Sequence, residues 1–161
     1  MRIAVFSDSH GDLRQMRRVT AAQKPDTVFH LGDYTADAEA LHDLFPEIPL
    51  YSVAGNNDYR AAVPLTLTLE MEGVKLILTH GHTFGVHAGC ERLLHYALEQ
   101  NARAALFGHT HSAFCEEREG VWLLNPGRAA DGWLSMSPAS CGILTLEQGS
   151  LAWEPVNMEN A

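Results

Sequence analysis

The chain has 161 residues, 46% of them hydrophobic and 19% charged, which is typical of a single soluble globular domain with its own core. Its formal net charge of −9 argues against a stable complex with nucleic acid or anionic lipid. No apolar run reaches the roughly 20 residues that a membrane span needs. The N-terminal segment is too polar for a secretion signal. We therefore expect one cytoplasmic domain over residues 1–161 and no membrane association.

Short apolar runs alternate with amphipathic stretches in the first third of the chain. Strands are predicted at residues 3–6, 27–31 and 48–53, and helices at residues 13–22 and 37–45. Such alternation is typical of parallel strands that are covered by helices.

The remainder of the chain is richer in predicted strands. A hairpin is expected from the period-two alternation of residues 66–71, the Glu72-Gly73 turn and the strand 74–78. A helix is predicted over residues 86–100. The last predicted strands are 104–107, 113–117, 121–124, 142–146 and 151–153. These elements indicate two packed mixed sheets flanked by helices.

Side chains that can bind a metal follow five of these strands directly. They are Asp8 with His10, Asp33, Asn56, His80, and His109 with His111. A single Asp after a strand is usually a turn or helix-capping residue, and a single HxH is usually incidental. Five successive strand ends are different, because the carboxyl ends of strands in an α/β sheet meet at one crevice. Residues two apart in an extended segment also point the same way, so each pair is expected to face one site.

Five motifs along the chain resemble, in this order, the signatures of the calcineurin-like metallophosphoesterase superfamily. They are Asp8-Ser9-His10, Gly32-Asp33, Gly55-Asn56, His80-Gly81-His82 and Gly108-His109-Thr110-His111. Asn57-Asp58, Asn125-Pro126-Gly127 and the short length are similar to its small prokaryotic YfcE-like phosphodiesterase branch.

The resemblance implies an α/β fold, a four-layer αββα sandwich of two mixed β-sheets flanked by helices. It also implies a hydroxide held between two divalent cations that attacks a phosphate ester in line. The first metal would be bound by Asp8, His10 and His111, and the second by Asn56, His80 and His109, with Asp33 bridging. Ligands without a thiolate suit Mn, our first choice, and also Fe, Ni, Co or Zn.

Two positions depart from the family pattern. Asn57 replaces a residue that is often His or Cys, and an amide is not a general acid near neutral pH. Asn57 and His82 are the candidate catalytic residues, and a structural role for His82 is the alternative.

Arg128 follows Asn125-Pro126-Gly127 where the family has Ser. It is a candidate to bind the substrate phosphate, or else an exposed loop residue. Asp58 is expected to orient a ligand histidine.

These departures favour a phosphodiesterase that acts on small phosphate esters with good leaving groups. A phosphomonoesterase or nucleotide phosphatase of the same fold is the alternative enzyme. A second alternative is a non-catalytic scaffold, because one eukaryotic retromer subunit resembles this fold and has a degraded metal site. All seven ligand positions have residues of the expected type, which favours the enzyme. Assembly into a homo-oligomer is left open.

Overall fold

The computed structural model describes residues 1–59, 61–131 and 138–160 of the chain. In these ranges the helices are α1 (Leu13–Gln23), α2 (Thr35–Leu44) and α3 (Glu91–Glu99). The strands are β1 (Arg2–Phe6), β2 (Thr27–His30), β3 (Leu50–Ser52), β4 (Thr66–Met71), β5 (Val74–Thr79), β6 (Ala104–Leu106), β7 (Ala113–Arg118), β8 (Val121–Pro126), β9 (Ser140–Glu147) and β10 (Ser150–Asn157). Short 3-10 helices occupy His82–Phe84 and Met158–Asn160. Over the described ranges, every helix is too short or too polar to cross a bilayer.

The strands form two five-stranded sheets, and both are mixed. The first sheet has the order β10-β9-β1-β2-β3, in which β1, β2 and β3 are parallel and β9 runs antiparallel to β1. The second sheet has the order β4-β5-β6-β8-β7, with β5, β6 and β8 parallel between two antiparallel edge strands. The prediction of two mixed sheets is confirmed.

Three apolar clusters hold the layers together. The central cluster lies between the two sheets and contains Ile3 and Val5 from β1. Their neighbours Ala4 and Phe6 point the other way, into a second cluster with α1 and α2. The third cluster packs α3 on the outer face of the second sheet. Because β1 is buried on both faces, its sequence is continuously apolar rather than alternating. The four-layer αββα sandwich is thus confirmed.

The predicted helix over residues 86–100 is wrong at its start, because α3 begins only at Glu91. The preceding segment turns at Gly85 and Gly89, whose φ angles are 67° and 139°. Both glycines are in backbone conformations that an α-helix does not contain. Residues 86–90 therefore form a loop before α3, and His87 lies in it.

Candidate metal centre

All seven predicted ligands lie in loops that follow parallel strands of the two sheets. Asp8 and His10 follow β1, Asp33 follows β2, and Asn56 follows β3 in the first sheet. His80 follows β5 and His109 and His111 follow β6 in the second. The carboxyl ends of both sets of strands meet at one end of the sandwich, since Asp8 Oδ1 and His80 Nε2, from different sheets, are 3.9 Å apart.

The backbone is left-handed rather than extended at five of the seven ligand positions. Asp8, His10, Asp33, His109 and His111 have φ angles of 55°, 47°, 57°, 67° and 59°. Our argument from an extended i, i+2 spacing was therefore wrong. The Asp8 and His10 side chains still converge, with Oδ1 and Nε2 3.9 Å apart, whereas His109 is not in the set of donors that contains His111. Left-handed conformations of non-glycine residues cost energy and gather at functional sites, where the surrounding structure maintains them.

Two of the ligand loops pack directly against each other through glycine. A Cβ atom on Gly32 would lie 2.6 Å from the backbone nitrogen of Gly55, and Gly32 also has a φ of 95°. A Cβ on Gly55 would collide with the Asp33 side chain. Glycine at these two positions is what allows the loops that carry Asp33 and Asn56 to meet.

The Asp8 carboxylate lies at the centre of the first group of donor atoms. Its Oδ2 accepts hydrogen bonds from Ser7 Oγ at 2.6 Å and from the His109 backbone N–H at 3.1 Å. Its buried Oδ1 has no hydrogen-bond donor among the described residues. The Nε2 atoms of His111 and His10 lie 3.2 and 3.9 Å from Oδ1 and 3.3 Å from each other.

Burial raises the pKa of Asp8, but nearby His111 and His80 and the Ser7 hydroxyl outweigh it and lower that pKa overall. The carboxylate in turn raises the pKa of His111 against the effects of burial and of the Arg128 charge. Asp8 is therefore an anion, and its second oxygen faces the nitrogens of His111 and His10.

The second group of donor atoms surrounds His80. Its Nδ1 lies 2.8 Å from the Leu31 carbonyl oxygen, which can only accept, so Nδ1 carries a proton and donates it. In the neutral ring Nε2 then has a lone pair. It faces Asn56 Oδ1 at 3.1 Å, Asp33 Oδ1 at 3.4 Å and Asp8 Oδ1 at 3.9 Å. A buried cluster of lone pairs directed at one another is the arrangement that a divalent cation satisfies.

The Asp33 carboxylate lies between the two groups. Its Oδ1 faces His80, whereas its Oδ2 is 3.9 Å from His10 Nε2. Among the described residues, the Asp and His donor atoms that come within 4.8 Å of one another form the sets Asp8–His10–His111 and Asp8–Asp33–His80. Asp8 thus belongs to both sets, while His109 is placed beside them, its ring centroid 5.0 Å from that of His80.

Comparisons with known proteins agree with this geometry. Residues 1–149 match the model of the calcineurin-like phosphoesterase superfamily domain. The chain belongs to this superfamily. It is therefore assigned to the phosphoesterases, a class that implies divalent metal ions, and the residues at the centre fit such ions.

Several relatives and solved structures are similar to this superfamily member. The protein named "Probable metallophosphoesterase YsnB" from Bacillus subtilis is 30% identical over 130 residues, 79% of this chain and 74% of its own. Phosphodiesterase MJ0936 from Methanocaldococcus jannaschii is 25% identical, over 92% of this chain and 95% of its own. A predicted phosphoesterase from Streptococcus pneumoniae superposes with a TM-score of 0.82 at 27% identity, covering 98% of this chain and 90% of that one.

Another solved structure shares the fold at lower sequence identity. Vps29 from Entamoeba histolytica, in a zinc complex, superposes with a TM-score of 0.75 at 22% identity, over 98% of this chain and 99% of its own. At that identity the likeness shows the fold alone.

The structure places the other predicted site residues of this superfamily member around the two groups. Asn57 is exposed and donates from Nδ2 to Asp33 Oδ2 at 2.6 Å and from its backbone to Oδ1 at 3.0 Å. The His82 ring lies 5.4 Å from that of His80, and its buried Nδ1 has no partner in the described part of the chain. Arg128 is half-buried, and its Nη2 has no acceptor within the described ranges.

Among the described residues, Asp58 accepts hydrogen bonds from backbone N–H groups and not from a histidine, so the prediction of its role was wrong. Its Oδ1 accepts the backbone N–H groups of Tyr34 and Thr35 at 2.8 and 2.7 Å, and its Oδ2 accepts that of Gly55 at 2.8 Å. Burial raises the pKa of Asp58, but these three hydrogen bonds lower it overall. Asp58 therefore joins the loop after β2 to the loop after β3.

Two further histidines, His30 and His87, contact residues of the candidate metal centre or their neighbours. His30 is fully buried, and its Nε2 lies 3.0 Å from the hydroxyl of Ser9. Ser9 is the residue between Asp8 and His10 in the sequence. His87 packs on the ring of His109 with a centroid separation of 4.4 Å. The sequence has no signal for the second contact, because it depends on the loop that replaces the first turns of the predicted helix.

Proposed function

We propose that this protein is a phosphodiesterase that depends on two divalent cations, with manganese the first choice. The observation that carries the proposal is the His80 ring, whose Nδ1 donates to a carbonyl while Nε2 faces the oxygens of Asn56 and Asp33. Asp8, His10 and His111 would hold one cation, and Asn56, His80 and His109 the other, with Asp33 between them. Bound there, two cations would lower the pKa of coordinated water towards about 7 and offset charge on the phosphoryl oxygens.

The chain's own residues prepare this arrangement. Ser7 and the His109 backbone N–H fix one oxygen of Asp8, so that the other is directed at the histidines. Leu31 fixes the tautomer and the ring plane of His80, which is how outer hydrogen bonds commonly orient metal ligands. The Asp33 carboxylate is oriented by both donors of Asn57.

The preference for diesters rests on Asn57. Its side chain donates to Asp33, and as an amide it supplies no proton to a departing alkoxide near neutral pH. His82 is our candidate to contact the leaving oxygen, because its ring lies 5.4 Å from that of His80 and its Nδ1 has no partner among the described residues. Arg128 is our candidate for the substrate phosphate, because its Nη2 lacks an acceptor among the described residues. Diesters with good leaving groups follow as the favoured substrates.

A phosphomonoesterase or nucleotide phosphatase at the same centre is the alternative activity, and the same assay separates it. A non-catalytic scaffold with the fold of Vps29 would not need seven donors on five loops. The cytoplasmic location and the state of assembly stay predictions.

The test is metal-dependent hydrolysis of bis-p-nitrophenyl phosphate and of p-nitrophenyl phosphate by protein stripped of metal and reloaded with Mn²⁺. We expect turnover that requires the metal and is faster with the diester. Asp33→Ala should lower kcat/KM by more than about 100-fold, since it removes a ligand rather than an outer partner. Asp43→Ala, an exposed position on α2, is the matched control and should behave like the wild type. Metal-dependent turnover that survives in Asp33→Ala would refute the proposal.

A further inference from the structure

We propose that the cavity beside His87 binds an uncharged planar ring, aryl or nucleobase-like, carried by the ester substrate. This inference rests on the proposed function, because it assigns the organic part of the same substrate. It makes the residues of the loop between Gly85 and α3 determinants of specificity.

The cavity adjoins the candidate metal centre. Its volume is about 320 Å³, and Thr110, which lies between His109 and His111, lines it. His87 also lines it, and the same imidazole packs on the ring of His109 with centroids 4.4 Å apart. A molecule whose phosphate is at the metal ligands therefore has this cavity within reach of its organic group.

The size and the walls of the cavity suit one ring system. Sites that enclose a whole drug-sized ligand have roughly 300–1,000 Å³, so this cavity is at the lower end and fits part of a substrate. Val86, Cys90, Phe107 and Phe114 form apolar walls, and the two phenylalanine rings have a centroid separation of 6.0 Å. Aromatic walls favour a flat ring through stacked or edge contacts.

The charges beside the cavity do not favour an anionic group. Arg118 lines the cavity, but its Nε and Nη2 donate to the Glu116 carboxylate at 2.7 and 2.8 Å, and its Nη1 lies 3.3 Å from Glu91 Oε1. The guanidinium is thus already paired with two carboxylates, one of which, that of Glu91, also lines the cavity. A second phosphate or a carboxylate would have to compete with these carboxylates for Arg118, whereas a neutral ring would not.

The inference is tested by comparing methylphosphonate with phenylphosphonate, two probes with the same headgroup. Binding to the Mn²⁺-loaded protein is measured by titration calorimetry and by inhibition of bis-p-nitrophenyl phosphate hydrolysis. Burial of the phenyl ring should make phenylphosphonate bind roughly tenfold more tightly. Ala88→Leu places a larger side chain at the exposed lip of the cavity and should abolish this difference. Ala22→Leu, an exposed position on α1, should leave it unchanged.

Phe114→Ala is the second variant, because it removes a wall instead of filling the space, and it should also reduce the advantage of the ring. A carboxyl group at the para position of phenylphosphonate should weaken binding, and Glu91→Gln should restore part of the loss. Equal binding of the two phosphonates by the wild type, or an unchanged difference in Ala88→Leu, would overturn the inference. Failure of the proposed function gives another result, namely that neither phosphonate binds in a metal-dependent way.

Discussion

Replacing Asp58 tests whether the ligand loops are held in place by hydrogen bonds outside the metal centre. Asp58→Ala removes the two carboxylate oxygens that accept three hydrogen bonds, from the backbone N–H groups of Tyr34, Thr35 and Gly55. At about 1 kcal/mol for each partly buried bond, the free energy of unfolding should fall by about 3 kcal/mol. Asp58→Asn keeps an oxygen at the Oδ1 position for Tyr34 and Thr35 and loses the bond from Gly55. The free energy of unfolding of that variant should fall by about 1 kcal/mol.

The same change should weaken metal binding, although Asp58 is not a proposed ligand. The loops that it joins carry Asp33 and Asn56, and loss of an outer partner of a metal ligand typically costs about 10–100-fold in affinity. We expect a loss in this range for Asp58→Ala and a smaller one for Asp58→Asn.

Urea denaturation of the metal-free proteins measures the stability, and titration calorimetry with Mn²⁺ measures the affinity. The folded-state pKa of Asp58 is lowered, so the extra stability of the wild type is present above the ordinary value of 3.8 and is lost as the pH falls through the lowered pKa. Equal stability and equal Mn²⁺ affinity of the wild type and Asp58→Ala would refute the reasoning. A loss of affinity as large in Asp58→Asn as in Asp58→Ala would show that charge, rather than the number of bonds, is decisive.

Two further variants test the backbone and the buried histidine. Gly32→Ala should lower the free energy of unfolding by about 2–4 kcal/mol, because the new Cβ meets the Gly55 backbone at a left-handed φ. Gly11→Ala has an equally left-handed φ but open space around the new Cβ, and its free energy of unfolding should fall by about 1 kcal/mol. Urea denaturation compares the two variants, and equal losses of stability would contradict the close-approach argument. Burial lowers the pKa of His30 from 6.5 to about 4, so folded protein keeps it neutral while the unfolded chain takes up a proton as the pH falls below 6.5. The free energy of unfolding of the metal-free wild type should therefore fall by about 2 kcal/mol between pH 7 and pH 5, and that of His30→Gln should fall by less. Urea denaturation at the two pH values measures both, and equal falls in the two proteins would show that His30 is not responsible.

The sequence predicted the strands well, because a buried parallel strand has a local signature of continuous apolar residues between turn residues. Residues 3–6 of β1 are an example, and the two-sheet arrangement followed from the change in pattern after residue 65. The start of α3 was not predictable in this way. The composition of residues 86–90 is compatible with a helix, but Gly85 and Gly89 have φ angles of 67° and 139°, which an α-helix does not contain.

The sequence by itself determined which side chains follow the strand ends, since the order of motifs and the types of donor are properties of the chain. Only the tertiary structure decided how those donors group. Asp8 joins both sets and His109 lies beside them, because the two sheets bring loops from residues 8 and 109 together. The structure alone also assigned Asp58 to backbone N–H groups and His87 to the ring of His109. Contacts of this kind depend on distances between segments far apart in the chain, and no local pattern of residues encodes them.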